Sequence, residues 1–479
     1  MDGAATYPDH TALHAQRLLG ISAFGLAPAI AAGMMAGGHL GSAGEGAIVF
    51  AAIFGTSLLL ERDRYPLHLM PLASFVIRAL VPVIGVALAL ATFALAGRPE
   101  AASRLVVPIA GAWIVTAFAT WVNLRFMASR RIRVAMIGSP GLANGLAHEL
   151  KSAGIRAYSV IGWIADEQPA VQLEGGPRWL GSLENVREIV EQSSIELLVH
   201  SSGTSAKMAQ PSLSRLELFE WVAASCLDLP VRLIEASQLY ESLLGHVPLG
   251  QSNSAWFQYL LHPRYRGSSP ASKRIFDLVV GSAMLVLLSP VLAAFAIAVK
   301  LTDRGPVLYR QRRVGEGGSE FQMIKLRSMR VESEEKGARW AGADDDRITP
   351  VGAIMRRLHI DEMPQLWNVL RGEMTIVGPR PERRELIVEL ERRLAYYDRR
   401  HLVKPGLAGW AQARCGYGGS EEGTSWKLCH DLFYLKHRSI YFDMMILLEN
   451  VRISLSSSVQ FDVDAPQEQF ILGHTHRLR

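Results

Sequence analysis

Two adjacent carboxylates, Asp361 and Glu362, stand just ahead of Pro364 and upstream of the rigid run Gly378-Pro379-Arg380-Pro381. Neighbouring residues on a helix point about 100° apart, so this pair does not form the same-face dyad of a glycosidase, and two different jobs are expected. Pro364 fits the first turn of a helix running through Arg371. Proline disfavours helical geometry at the residue before it, which places the acidic pair at a junction of two helices. Helix amino ends attract phosphate. Arg357, four residues before Asp361, is expected to share its face, and Arg380, held between prolines, offers a bidentate fork for a diphosphate. An aspartate among arginines is expected to keep a low pKa, stay ionised and attack phosphorus. The plainer alternative is a helix-capping pair beside a solvated arginine face. Phosphoryl transfer is the chemistry these residues suit.

The elements that must position them begin in a bilayer. The chain has 479 residues, 49% hydrophobic, with a net charge of +5, enough for roughly three units. Residues 1–130 hold four apolar segments, Leu18 to Gly38, Gly46 to Leu60, Pro71 to Gly97 and Leu105 to Met127, expected to form a four-helix transmembrane bundle. No Lys or Arg lies in the loop from His39 to Glu45, whereas Arg62 and Arg64 follow the second segment and Arg125, Arg130, Arg131 and Arg133 follow the fourth. That bias puts both ends of the bundle in the cytoplasm, and the basic Arg98 and Arg104 weaken it without reversing it. Arg78, inside the third segment, is expected to snorkel or to pair within the bundle. No signal peptide is expected, because the first apolar run lacks a basic leader and a cleavage site. Cys226, Cys415 and Cys429 fit no metal spacing and suit a reducing cytosol.

Residues 131–255 read as a Rossmann-like α/β domain, with strands at Val134 to Ile137, Ser159 to Ile164, Ile195 to His200 and Leu229 to Ile234. The turn after the first strand runs G-x-x-G-x-x-x-G from Gly138 through Gly141 to Gly145, off the dinucleotide fingerprint, and Pro140 removes an amide donor. A structural or oligomerising module, with a homodimer as one outcome, suits it better than nucleotide binding.

A linker at 256–272 leads to a catalytic domain at 273–479 whose first helix, 275–299, is uncharged from Leu278 to Val299 and interrupted by Ser289-Pro290. Both flanks are basic, Lys273 and Arg274 before it, Lys300, Arg304, Arg310, Arg312 and Arg313 after it. The positive-inside rule therefore favours a re-entrant helix that enters and leaves on one face, with Pro290 as the kink and the Ser289 hydroxyl bonding a freed carbonyl. A fifth ordinary transmembrane helix is the alternative. The cationic run from Arg304 to Gly315 is also explained by anionic lipid headgroups alone. Asp344-Asp345-Asp346 reads as a solvated loop, His359 as pointing away from Asp361, and Asp443 as paired with a cation in an interfacial helix.

Lys273-Arg274-Ile-Phe-Asp277, Ser289-Pro290, Gly305-Pro306-Val, Tyr309-Arg310-Gln311, Lys325-Leu-Arg327-Ser328-Met329, Asp361-Glu362-Met-Pro364-Gln365-Leu366, Gly378-Pro379-Arg380-Pro381 and Lys404-Pro405-Gly406-Leu-Ala-Gly409-Trp410-Ala411-Gln412 occur in that order. The set, from Lys273 to about Leu455, resembles the bacterial polyprenyl-phosphate hexose-1-phosphate transferases, and the three-part layout resembles their large monotopic members. The fold this implies is a membrane protein, α plus α/β, with amphipathic interfacial helices beside the re-entrant one.

The resemblance implies transfer of a hexose-1-phosphate from a UDP-hexose to undecaprenyl phosphate, with release of UMP, at the first membrane step of exopolysaccharide, capsule or O-antigen assembly. It makes Asp361 the nucleophile and gives Glu362 a role in holding Mg²⁺ on the diphosphate. Lys325, Arg327, Arg357 and Arg380 would neutralise phosphate, Pro379, Gln412 and Arg414 would lie near the nucleotide, and Ser289 and Pro290, with Lys273 and Arg274, would shape the lipid-facing helix. Leu326 and Ala408 depart from the usual phenylalanine and threonine, and Ala408 leaves no hydroxyl contact. Glucose or galactose is the expected sugar and an N-acetylhexosamine the alternative. Membrane lipid is an expected partner and nucleic acid is not. A membrane-anchored nucleotide-sugar dehydratase or epimerase would need Tyr-x-x-x-Lys, and no tyrosine here has lysine four residues on. A non-enzymatic scaffold is the remaining alternative.

Overall fold

The computed structural model describes residues 131–138, 140–166, 176–200, 215–249, 270–303, 305–330, 347–415 and 421–455, together with the helical positions Gly111, Ile114 and Phe118. Apart from those three positions the four N-terminal apolar segments lie outside the described residues, as do most of the expected linker and Asp344 to Asp346. The chain divides between Leu244 and Gly245 into two compact units.

The first unit holds a parallel five-stranded sheet of β1 (Ile132–Ile137), β2 (Tyr158–Ile164), β3 (Arg178–Gly181), β4 (Leu197–His200) and β5 (Arg232–Glu235), in the order β3-β2-β1-β4-β5. Strands covered on both faces need continuous apolar runs, and Val134, Ala135 and Met136 on β1 and Leu198 and Val199 on β4 have no exposed surface. The order reverses between β1 and β4, the doubly wound pattern expected from the sequence. β3 was not legible beforehand, since Arg178-Trp-Leu-Gly181 is a short edge strand with no alternation. β5 starts at Arg232, later than its apolar run suggests, because Leu229 and Val231 pack against the core from the preceding loop.

The second unit opens with a 34-residue helix, Pro270–Asp303, that contains Pro290. Its stretch Ala271–Thr302 is long and apolar enough to cross a membrane, with a mean hydropathy of 2.4 and only 6% of its most apolar window buried. Pro290 lacks the amide that would bond the carbonyl four residues back, and Ser289 Oγ donates to that carbonyl, Val286 O, at 2.8 Å. Three side chains tie the start of this helix to the unit. Lys273 bridges Asp277 (3.3 Å) and Asp443 (2.6 Å), and Asp277 accepts from Thr375 Oγ1 (2.8 Å) and Ile376 N (3.0 Å). Arg274 donates to Val369 O (2.7 Å), which also accepts from Gly372 N, and to Leu370 O (2.6 Å), carbonyls of the last turn of a short helix. Farther along, Gly281 abuts Val369, Leu370 and Ile376, and Val299 packs with Leu326 and Met355.

A hairpin follows, β6 (Leu308–Val314) against β7 (Glu320–Leu326), closed through Gly317 and Gly318 at positive φ. Successive side chains of a strand point to opposite faces, so Leu308, Arg310, Ile324 and Leu326 share one face while Gln311, Arg313 and Lys325 share the other. Helix Pro350–Arg357 is capped by Thr349 Oγ1, which accepts from Gly352 N at 2.9 Å. His359 adopts left-handed backbone (φ 56°), ending that helix and starting the 3₁₀ turn Ile360–Gln365, which runs into helix Leu366–Arg371. Pro364 therefore lies inside the 3₁₀ turn, and the helix junction falls at His359 rather than directly before the proline. Gly372 (φ 84°) stops the second helix ahead of β8 (Thr375–Val377), which pairs in parallel with β9 (Gly406–Ala408). A Cβ at Gly378, Gly406 or Gly409 would run into facing backbone, so only glycine lets these segments meet. Helices Trp410–Cys415, Glu421–His437 and Ile440–Leu455 close the unit around Trp410, Phe433 and Phe442.

Candidate active site

Glu362 is the meeting point of the charges. Its Oε1 accepts from Lys325 Nζ at 2.8 Å and from Arg380 Nη2 at 2.6 Å, and its Oε2 accepts from Arg380 Nη1 at 3.0 Å. Burial alone would raise this carboxyl, but Arg380 and then Lys325 outweigh it and hold the group well below the ordinary carboxylate range. Lys325 is itself lowered by burial, with Glu362 pulling it partly back.

Asp361 behaves differently. It is 7% exposed, and burial, followed by the negative charge of Glu362, raises its pKa against the pull of Lys325, Arg356 and His359. The expectation of a low pKa is thus overturned, because the bidentate arginine is committed to Glu362. The arginine expectation changes too. Arg357 is exposed, and it is Arg356 that lies in the field of Asp361, since the left-handed turn at His359 redirects the chain between them. His359 is part-buried in the same field, with burial as the first cause of its lowered pKa, closer to the pair than a straight helix would put it.

The Pro379-Arg380-Pro381 loop is held at each carbonyl. Gly406 N donates to Pro379 O (2.9 Å), Arg400 Nη2 to Arg380 O (3.0 Å) and Arg313 Nη1 to Pro381 O (3.1 Å). Arg313 also meets Glu382 at 3.4 Å and Gln311 Oε1 at 2.7 Å, while Arg400 is locked by Asp431 Oδ2 at 2.8 Å. A loop fixed in this way presents its guanidinium without reorganisation. Asn368, wholly buried on the helix that follows the Asp361–Glu362 turn, ties that helix to the hairpin by accepting from Ile324 N (3.1 Å) and donating to Gln322 O (2.8 Å).

The remaining expected residues divide. Arg327 is buried just past β7. Gln412, 4% exposed, sits against Gly409, and neither of its amide atoms has a hydrogen-bond partner among the described residues. Arg414 lies over the Trp410 ring, 5.4 Å from its centroid. Lys273 and Arg274 pair with protein groups and anchor the start of the long apolar helix. Sequence reading missed Arg356, Arg313, Arg400, Asp431 and also Lys427, which lies in the field of Glu382 and Arg380. Only the four-residue spacing of Lys427 and Asp431 hinted that one helix face points here.

Mg²⁺ on Glu362 does not fit this arrangement. Two cations already use three of the carboxylate's roughly four acceptor positions, and no group of three His, Cys, Asp or Glu suited to a metal occurs among the described residues.

Comparison with known proteins agrees with the motif order. Residues 268–457 match the family described as bacterial sugar transferase. The chain is 40% identical over 181 residues (37% of this chain, 68% of the other) to a UDP-glucose:undecaprenyl-phosphate glucose-1-phosphate transferase of Caulobacter vibrioides. The chain belongs to the bacterial sugar transferase family. This bacterial sugar transferase is also 36% identical over 245 residues (50% of this chain, 56% of the other) to a UDP-N-acetylgalactosamine-undecaprenyl-phosphate N-acetylgalactosaminephosphotransferase of Aeromonas hydrophila. It is 31% identical over 322 residues (66% of each) to a UDP-glucose:undecaprenyl-phosphate glucose-1-phosphate transferase of Escherichia coli. The matches span less than two thirds of the length of those last two relatives. Asp361, Glu362, Lys325 and Arg380 all fall inside the family region.

Proposed function

We propose that this protein transfers a sugar-1-phosphate from a UDP-sugar to undecaprenyl phosphate through a phosphosugar-aspartate intermediate. The observation that carries the reading is the clamped Glu362 between Lys325 and Arg380, directly beside a buried Asp361. An Asp361 oxygen attacks the phosphorus that bears the sugar, the bond to the bridging oxygen breaks, and UMP leaves. An oxygen of the lipid phosphate then attacks the same phosphorus, the acyl-phosphate bond breaks, and the Asp361 carboxylate is restored. Both steps exchange one bond to phosphorus for another, so catalysis rests on positioning and charge stabilisation.

Arg380, on a loop held at all three of its carbonyls, takes the diphosphate, assisted by Lys325 and Arg356 as donor charge replaces that of Glu362. Gln412, whose buried amide has no partner among the described residues, supports a hydrogen-bonding role toward the nucleotide base. A magnesium ion would be held by the oxygens of the donor diphosphate, where it would supply charge neutralisation. The apolar N-terminal segments suit a multi-pass anchor in the cytoplasmic membrane, and the Pro290 helix suits a re-entrant element with the site on the cytoplasmic face.

Glucose or galactose is the preferred sugar, with an N-acetylhexosamine as the second reading, because one relative's name specifies N-acetylgalactosamine. The test is UMP release by the full chain in lipid nanodiscs with Mg²⁺, undecaprenyl phosphate and a panel of UDP-sugars. One strong responder is expected; silence across the panel from folded protein rejects the reading.

A further inference from the structure

The inner face of the hairpin carries a polar row that the proposed reaction leaves unused. Tyr309, Gln311 and Arg313 alternate along β6 and share one face. Gln311 Nε2 donates to Tyr309 Oη at 3.0 Å, and Gln311 Oε1 accepts from Arg313 Nε at 3.0 Å and from Nη2 at 2.7 Å. A guanidinium only donates, so it faces the oxygen end of the amide and leaves the nitrogen end for the phenol. Gln311 therefore has one orientation, fixed from both sides.

The row joins the surroundings of the two cations that grip Glu362. At one end Tyr309 stands across the ladder from Lys325, where facing Cβ atoms lie about 5 Å apart. At the other end Arg313 Nη1 donates to Pro381 O (3.1 Å) and reaches Glu382 Oε2 (3.4 Å), while Val314 N donates to Glu382 O (3.0 Å). Both contacts fall immediately after Arg380. Burial is the largest influence lowering the pKa of Arg313; Glu382 opposes it, and the like charges of Arg380 and Arg383 add to the lowering. A guanidinium placed against that repulsion needs a firm acceptor. Gln311 Oε1 takes two of its nitrogens at shorter distances than Glu382 takes the third.

We infer that Gln311 is a positioning residue for the donor step: through Arg313 it fixes the Pro379-Arg380-Pro381 loop relative to Lys325, so that both cations meet the diphosphate together. The inference rests on the proposed function and adds the residue that sets its two cations in register.

Gln311→Met, close in length but without either polar end, tests it in the full chain in lipid nanodiscs. In isotope exchange between UMP and UDP-sugar without acceptor, the donor KM should rise about fivefold or more, while the acceptor KM in full turnover stays within about twofold. In an Arg313→Met background the same substitution should change the donor KM by less than about twofold, because residues acting through one another are not additive. Amide hydrogen exchange of peptides covering residues 376–384 should quicken about tenfold in Gln311→Met, with helix Glu421–His437 keeping its protection. Tyr309→Phe, which removes only the phenol oxygen that orients the amide, should move donor KM and loop exchange in the same direction by about twofold, and serves if Gln311→Met folds poorly. An unchanged donor KM, an equal rise in both KM values, a full effect in the Arg313→Met background, or unaltered loop exchange overturns the inference. A parent enzyme without UMP exchange refutes the proposed function instead, and hydrogen exchange still decides whether Gln311 holds the loop.

Discussion

Arg380 grips Glu362 with both terminal nitrogens, at 3.0 and 2.6 Å, and Lys325 reaches the same carboxylate at 2.8 Å. The carboxylate holds two cations in register before any donor arrives. Glu362→Gln should leave the donor KM unchanged or lower, since net positive charge grows, while kcat for UMP release falls by about a hundredfold through lost preorganisation. Arg380→Lys, which keeps charge but not the fork, should lose about tenfold. Steady-state kinetics of UMP release decide the matter, and a Glu362→Gln enzyme with the parent kcat would contradict the clamp.

The raised pKa of Asp361 has a sign that kinetics can read. The attacking form is the ionised carboxylate, so kcat/KM for the donor should fall as pH drops through a value above the ordinary carboxylate range. Glu362 is one cause of that rise, after burial. Glu362→Gln should therefore move the acid limb to lower pH even as the plateau drops, and Asp361→Asn should abolish exchange at every pH. An acid limb that stays in place in Glu362→Gln would show that Asp361 is not the titrating group.

Arg400 and Asp431 form a buried pair, 6% and 2% exposed at their side chains, joined at 2.8 Å. Asp431→Ala strands the guanidinium and should destabilise the unit by about 3–5 kcal/mol, seen as a lower thermal midpoint in nanodiscs. Because Arg400 also donates to Arg380 O at 3.0 Å, donor KM should rise as well. A variant that loses stability with an unaltered donor KM would confine the pair to a structural role.

How far the site was legible follows from how local its causes are. The Ser289 hydroxyl and the carbonyl freed by Pro290 are neighbours in sequence, and the contact is found where expected. Lys325, Glu362 and Arg380 were marked out by charge and motif order, and they converge. Arg356 stayed hidden behind Arg357 because the choice turns on a left-handed histidine, a conformation that non-glycine residues adopt in only a few per cent of cases. The pairing of Arg400 with Asp431 spans 31 residues, so no local spacing announces it. The pKa of Asp361 was misjudged because burial is a tertiary quantity, and composition placed the arginines near it without showing which carboxylate they serve.

The membrane helix yields the last prediction. A straight helix of 34 residues would be about 51 Å long, well beyond a hydrocarbon core of about 30 Å. Yet Arg274 near its start donates to Val369 O and Leu370 O, and Val299 near its end packs with Leu326 and Met355, all within one compact unit. Between these anchors, Val286 and Leu287 are 74% and 77% exposed and Ser289 bonds the carbonyl that Pro290 frees. A helix held at both ends by one compact unit, with its bare apolar midpoint at a proline, is expected to dip into the bilayer and return. Single cysteines at Ser272 and Thr302, with Cys226, Cys415 and Cys429 replaced by serine or alanine, should both react with an impermeant maleimide only when the cytoplasmic face of the vesicle is exposed. Labelling of the two positions from opposite faces would mean that the helix crosses the membrane, and the assignment of its ends to one side would be withdrawn.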